Sequence, residues 1–103
     1  MPEKDYIIFI NDFTRLYVYF NYYKSELLSF VVKLEIFYLN RWIEIERYDC
    51  YHGIVHKDIL NKKGKKVRTI SFPLVDVKAG VNFAVKDFRE NYELYIWRFL
   101  NGK

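Results

Sequence analysis

A chain of 103 residues has room for one hydrophobic core, and a composition that is 51% hydrophobic and 20% aromatic is far from that of a disordered chain. The single cysteine, Cys50, excludes an internal disulfide and a Cys-rich zinc site, and points to a reducing, cytoplasmic compartment. Charge is uneven: residues 1–50 hold six Lys/Arg against eight Asp/Glu and residues 51–103 hold eleven against five, so an anionic partner is sought in the second half.

The segment Met1–Asp5 carries acidic residues and lacks the basic, then apolar, then small-residue order of a signal peptide. The apolar runs Tyr6–Ile10 and Leu27–Leu39 are too short, or are interrupted by Lys33 and Glu35, to span a bilayer. No membrane association is expected. Dense aromatic and β-branched residues make Arg15–Tyr23 a strand, and Leu27–Leu39 follows it after Lys24-Ser25-Glu26. Asn40-Arg41 leads into Trp42–Asp49, where Ile43 and Ile45 alternate with Glu44 and Glu46. Gly53 breaks the run, Ile54–Leu60 and Lys66–Phe72 form a hairpin around Asn61-Lys62-Lys63-Gly64, and Pro73 stops the last strand.

Beyond Pro73 the period changes. Val81, Ala84, Val85, Phe88, Tyr92, Tyr95, Ile96 and Phe99 recur at spacings of three and four, as on one face of a helix. Asp76 is placed to cap it and Gly102 to end it. Gly80 marks either the helix start or a point of close packing. The expectation is one α+β domain over residues 1–103: a mostly antiparallel sheet of about five strands within residues 6–72, crossed by a helix over residues 76–101. Rich Lys, Ile, Tyr and Phe beside one Met and one Cys lean toward a thermophile.

Alternation along Trp42–Asp49 places Arg47 and Asp49 on the side of Ile43 and Ile45. In the next strand His56 and Asp58 share parity with Ile54 and Leu60. A charge drawn to a buried face must be paired or functional. The two histidines, His52 and His56, lie four apart across Gly53, so Arg47, Asp49, His52, His56 and Asp58 can meet near one end of the sheet. A salt-bridge network of Arg47, Asp49 and Asp58 accounts for the same charges without function. Downstream, Lys57, Lys62, Lys63, Lys65, Lys66 and Arg68 form a basic run that attracts phosphate or guards a sheet edge.

The run Arg47-Tyr48-Asp49-Cys50-Tyr51-His52-Gly53-Ile54-Val55-His56 resembles a pattern in small prokaryotic proteins: Arg-Tyr-Asp, two residues, His-Gly, two residues, His. It is also similar to the Arg-Tyr-Asp-Asn-Ala-x-His stretch of TumE-like toxins from toxin–antitoxin operons, with Cys50 where those toxins usually carry Asn. The resemblance implies a small RNA-cleaving enzyme and an antitoxin partner. Metal-independent cleavage needs a base, an acid and cations for the phosphorane, and His52, His56 and Arg47 suit those roles with Asp49 orienting a ring. Lys57 and the hairpin cations would hold flanking phosphates, and Tyr51 would stack on a base. Tyr48 is read as packing.

Two other classes are carried. A non-catalytic module would dock nucleic acid or protein on the basic hairpin, with part of the aromatic segment Tyr17–Tyr23 serving as a homodimer or antitoxin interface. A metal site would use His52, His56 and a carboxylate of Asp49 or Asp58, but Arg47 and Lys57 would repel the ion, so no metal or other cofactor is expected. A Cys50–His52 nucleophile pair is a weak signal. P-loop, GxGxxG, GxSxG and CxxC motifs do not occur in the sequence.

Overall fold

The computed structural model describes residues 3–51 and 53–102, with Tyr51 described by its backbone alone. Six strands, β1 (Glu3–Asn11), β2 (Thr14–Tyr23), β3 (Glu26–Tyr38), β4 (Arg41–Tyr51), β5 (Ile54–Leu60) and β6 (Lys66–Phe72), precede one helix, α1 (Val77–Asn101). The α+β class and the C-terminal helix agree with the sequence expectation, and the strand count is six rather than five. The additional strand is β1, whose charged start hides its extended pattern. It is fixed by antiparallel pairing with β2, from Glu3 opposite Asn21 to Asn11 opposite Thr14.

Neighbouring strands follow chain order and are antiparallel throughout, a six-stranded meander. Two tight turns place both central residues at positive φ, Lys24-Ser25 at 49° and 66° and Leu39-Asn40 at 52° and 67°. That is the backbone hand that matches strand twist in a two-residue hairpin. The second turn is thus centred one residue earlier than Asn40-Arg41. In the β5–β6 loop the Asn61 side-chain oxygen accepts from the backbone N–H of Lys63 and Lys65, and Gly64 supplies φ 77°.

The helix lays Val81, Ala84, Phe88, Tyr95 and Phe99 against Phe30, Val32, Leu34 and Ile36 of β3 and Val55 of β5, and the core continues to Leu16 and Val18 of β2. Asp76 accepts from the Lys78 N–H as the N-cap. Gly80 is a point of close packing within α1, not its start. A Cβ built there would lie 2.6 Å from a Phe30 ring carbon and 3.1 Å from Val55. Alanine normally favours a helix over glycine by about 1 kcal/mol, but here the extra methyl must displace a ring that is 1% exposed. Gly80→Ala is therefore expected to lower stability by about 1–3 kcal/mol in urea unfolding, the range for overpacking.

One irregularity decides which side chains face the helix. In the β3–β4 pair, Glu35 lies opposite Glu44 and Leu34 opposite Glu46, which leaves Ile45 as an extra residue in a bulge. Ile45 and Glu46 are both buried. Beyond the bulge the alternation is reset. Glu46, Tyr48 and Cys50 turn toward the helix, while Arg47 and Asp49 turn to the opposite face with Glu44 and Lys33. The expectation that Arg47 and Asp49 follow Ile43 and Ile45 onto one face is thereby corrected, because simple alternation fails at an inserted residue.

Candidate functional site

The face away from α1 assembles four of the residues singled out in the sequence. In register, Arg47 lies opposite Asp58 and Asp49 opposite His56, so all four project to the same side of β4 and β5. Arg47 Nε is 3.3 Å from Asp49 Oδ2, and its Nη1 is 3.7 Å from Glu44. His56 Nε2 lies 2.5 Å from Asp49 Oδ1, while its Nδ1 lies 3.3 Å from the Ile54 carbonyl. Asp58 is 1% exposed; Thr69 Oγ1 donates to its Oδ1 at 2.7 Å, and Lys66 Nζ stands 3.3 Å from its Oδ2. His52 and the Tyr51 side chain, expected to complete an acid–base pair and a stacking platform, lie outside the described residues. Both His56 nitrogens face an oxygen of the protein, so neither is turned outward to meet a substrate proton.

Lys57, read in the sequence as a phosphate ligand, points the other way. It is 4% exposed and lies under α1, where its Nζ is 2.9 Å from Glu46 and 3.0 Å from Asp87 and sits 3.7 Å from the centre of the Tyr95 ring. A group buried there cannot reach a nucleic-acid backbone, which corrects its assignment. Burial works against its charge, but Glu46, Tyr95 and Asp87 outweigh it and hold the ammonium above its ordinary pKa. Asp87 is the hub: it accepts from Tyr48 Oη at 2.6 Å, Tyr95 Oη at 2.5 Å, Asn91 Nδ2 at 2.8 Å and Lys57. Burial and the Asp87 bond push the Tyr48 and Tyr95 hydroxyls upward.

This buried network was not anticipated from the sequence, although a signal for it was present. Asp87 directly precedes Phe88 on the apolar stripe of the helix, where an acid needs a buried partner. Tyr48, read as packing, packs against Phe72, Phe83 and Phe88 and adds its hydroxyl to the network. Cys50 also turns inward. Burial pushes its thiol up, and it accepts from the Phe30 N–H, so it is not an activated nucleophile.

The remaining hairpin cations, Lys62, Lys63, Lys65, Lys66 and Arg68, are exposed. Lys62, Lys63 and Arg68 border a groove of about 600 Å³ between the β5–β6 hairpin and the last turns of α1. Trp97, 62% exposed, and Val67, 54% exposed, form part of its wall beside Arg98. Trp97 was not identified in the sequence, since it lies outside the apolar stripe and only the fold brings it to the basic hairpin. In the aromatic segment, Tyr17 and Tyr19 donate to Asp5 and Glu3 of β1 and Val18 is buried, so much of its apolar surface is used within the sheet. Among the described residues no helix is long and apolar enough to cross a membrane.

A family model described as domain of unknown function (DUF7718) matches residues 1–103. No curated protein and no solved structure matches the chain.

Proposed function

The chain belongs to the DUF7718 family, and we propose that it binds single-stranded RNA along the β5–β6 hairpin, with a base held beside Trp97. The observation that carries this reading is one groove bordered by Lys62, Lys63 and Arg68 and walled by an exposed tryptophan. Lysines and arginines neutralise phosphates, and an aromatic face stacks on any base, which together are the usual elements of single-strand recognition. Lys65 at the loop extends the positive track. The open face is less suited to a polyanion, because Arg15, Lys33 and Arg47 are each paired with a carboxylate there.

The test is binding of a short labelled single-stranded RNA, titrated at several salt concentrations. Trp97→Ala is expected to weaken binding by about 1–3 kcal/mol, the worth of one stacked base. Lys62→Gln and Lys63→Gln are expected to flatten the salt dependence, by roughly 0.7 in slope for each phosphate no longer neutralised. Unchanged affinity and slope in all three would leave the lysines as edge-guarding groups and defeat the reading. RNA integrity in the same samples scores the toxin-like alternative. Cleavage by the wild type that disappears in folded Arg47→Ala or His56→Ala would replace a binding module with a ribonuclease.

A further inference from the structure

We infer that Asp49, His56 and Asp58 form a site for one divalent first-row transition-metal ion, Zn²⁺ in the first instance. One ligating atom from each lies within 4.8 Å of the others. Each side chain has one end already held by the protein. Arg47 Nε lies against Asp49 Oδ2, the Ile54 carbonyl faces His56 Nδ1, and Thr69 donates to Asp58 Oδ1. That resembles the outer-shell arrangement by which proteins orient metal ligands: the second imidazole nitrogen on a backbone carbonyl, one carboxylate held by a hydroxyl donor and the other by an ion pair.

The other ends converge. Asp49 Oδ1 and Asp58 Oδ2 are buried and accept no hydrogen bond. His56 Nε2 approaches Asp49 Oδ1 to 2.5 Å without hydrogen-bond alignment. In the tautomer that donates Nδ1–H to the carbonyl, Nε2 would present its lone pair toward Asp49, where a shared cation would bind both. Asp58 is 1% exposed, and its Oδ2 accepts no hydrogen bond and has the exposed Lys66 as its counter-charge.

The nearby charges are consistent with such a site. Lys57, which would repel an ion, is on the helix face. Arg47 is shared with Glu44, and Lys66, whose side chain is 63% exposed, can swing off Asp58 Oδ2 as the metal enters. An imidazole with two carboxylates favours zinc-like ions over Mg²⁺ and Ca²⁺, and three protein ligands leave a coordination position open. The site lies across β5 from the Trp97 groove and does not depend on RNA binding.

The experiment titrates Zn²⁺, and Co²⁺ as a spectroscopic probe, into chelator-treated full-length protein. One ion per chain, a rise in melting temperature and visible Co²⁺ bands of a nitrogen/oxygen site are expected. His56→Gln, Asp49→Asn and Asp58→Asn should each weaken binding by at least tenfold. Thr69→Val, which leaves the three ligands in place, should weaken it by roughly 10–100-fold, so the outcome does not depend on Asp58→Asn folding. Lys66→Met should tighten binding. Absence of saturable binding, or unchanged affinity in His56→Gln and Thr69→Val, overturns the assignment, as does loss of the ion in His52→Ala.

Discussion

Asp87→Ala is expected to lower the free energy of unfolding by about 3–5 kcal/mol, the cost of removing one partner from a buried ionic network. Asp87 takes four donors at once, and its loss strands the hydroxyls of Tyr48 and Tyr95 and leaves Lys57 with Glu46 alone among its carboxylates. Urea unfolding monitored by tryptophan fluorescence measures the change. A loss below about 1 kcal/mol, the net value of a single hydrogen bond, would mean that water or a neighbouring group replaces the carboxylate.

The same residue sets a pH dependence. Burial alone would raise its pKa, but hydrogen bonds from Tyr48, Tyr95 and Lys57 outweigh it and leave the carboxyl below its ordinary value. A group whose folded pKa is depressed adds stability above its unfolded pKa and loses that contribution as pH falls through the folded one. The wild type should therefore lose stability from about pH 4 downward, near the ordinary aspartate value. Asp87→Asn, measured at successive pH values, should lack that part of the decline.

Phe88→Ala is the second large effect, at about 3–5 kcal/mol for a buried phenyl group. Phe88 is fully buried and meets the Tyr48 and Tyr95 rings edge to face, with centroids 5.1 and 6.2 Å away. Its removal opens a void beside the two tyrosines that hold Asp87, so the loss should exceed the transfer free energy of the ring. Phe88→Leu should recover most of it. A double mutant with Asp87→Ala should fall short of additivity, because the two changes loosen the same packing.

How far the sequence could be read follows from the kind of signal each residue gives. Strands β2 to β6 were legible because aromatic and β-branched runs end at polar or glycine turns, and α1 because Val81 to Phe99 keep one helical face. β1 was not, since Glu3–Asp5 are held by the tyrosine hydroxyls of β2 rather than by burial. The grouping of Arg47, Asp49, His56 and Asp58 survived only because β5 pairs with β4 in a register that keeps them together. Their face was misjudged, since a bulge leaves no local trace in composition. The partnership of Lys57 with Asp87 joins residues 30 apart, and periodicity along one element carries no information about such a pair.

Ile45 shows what that irregularity means for the inheritance of the molecule. If this residue were instead taken into the regular ladder, the rest of β4 would turn over. Tyr48 would move out to water, and Arg47 and Asp49 would move in against the aromatic rings of α1. A single-codon deletion of Ile45 would by contrast close the bulge and keep Glu46, Tyr48 and Cys50 toward the helix, at the cost of one buried side chain. The strand can thus shed this residue and keep its two faces, whereas one residue added beyond Glu46 and paired in the ladder would exchange them.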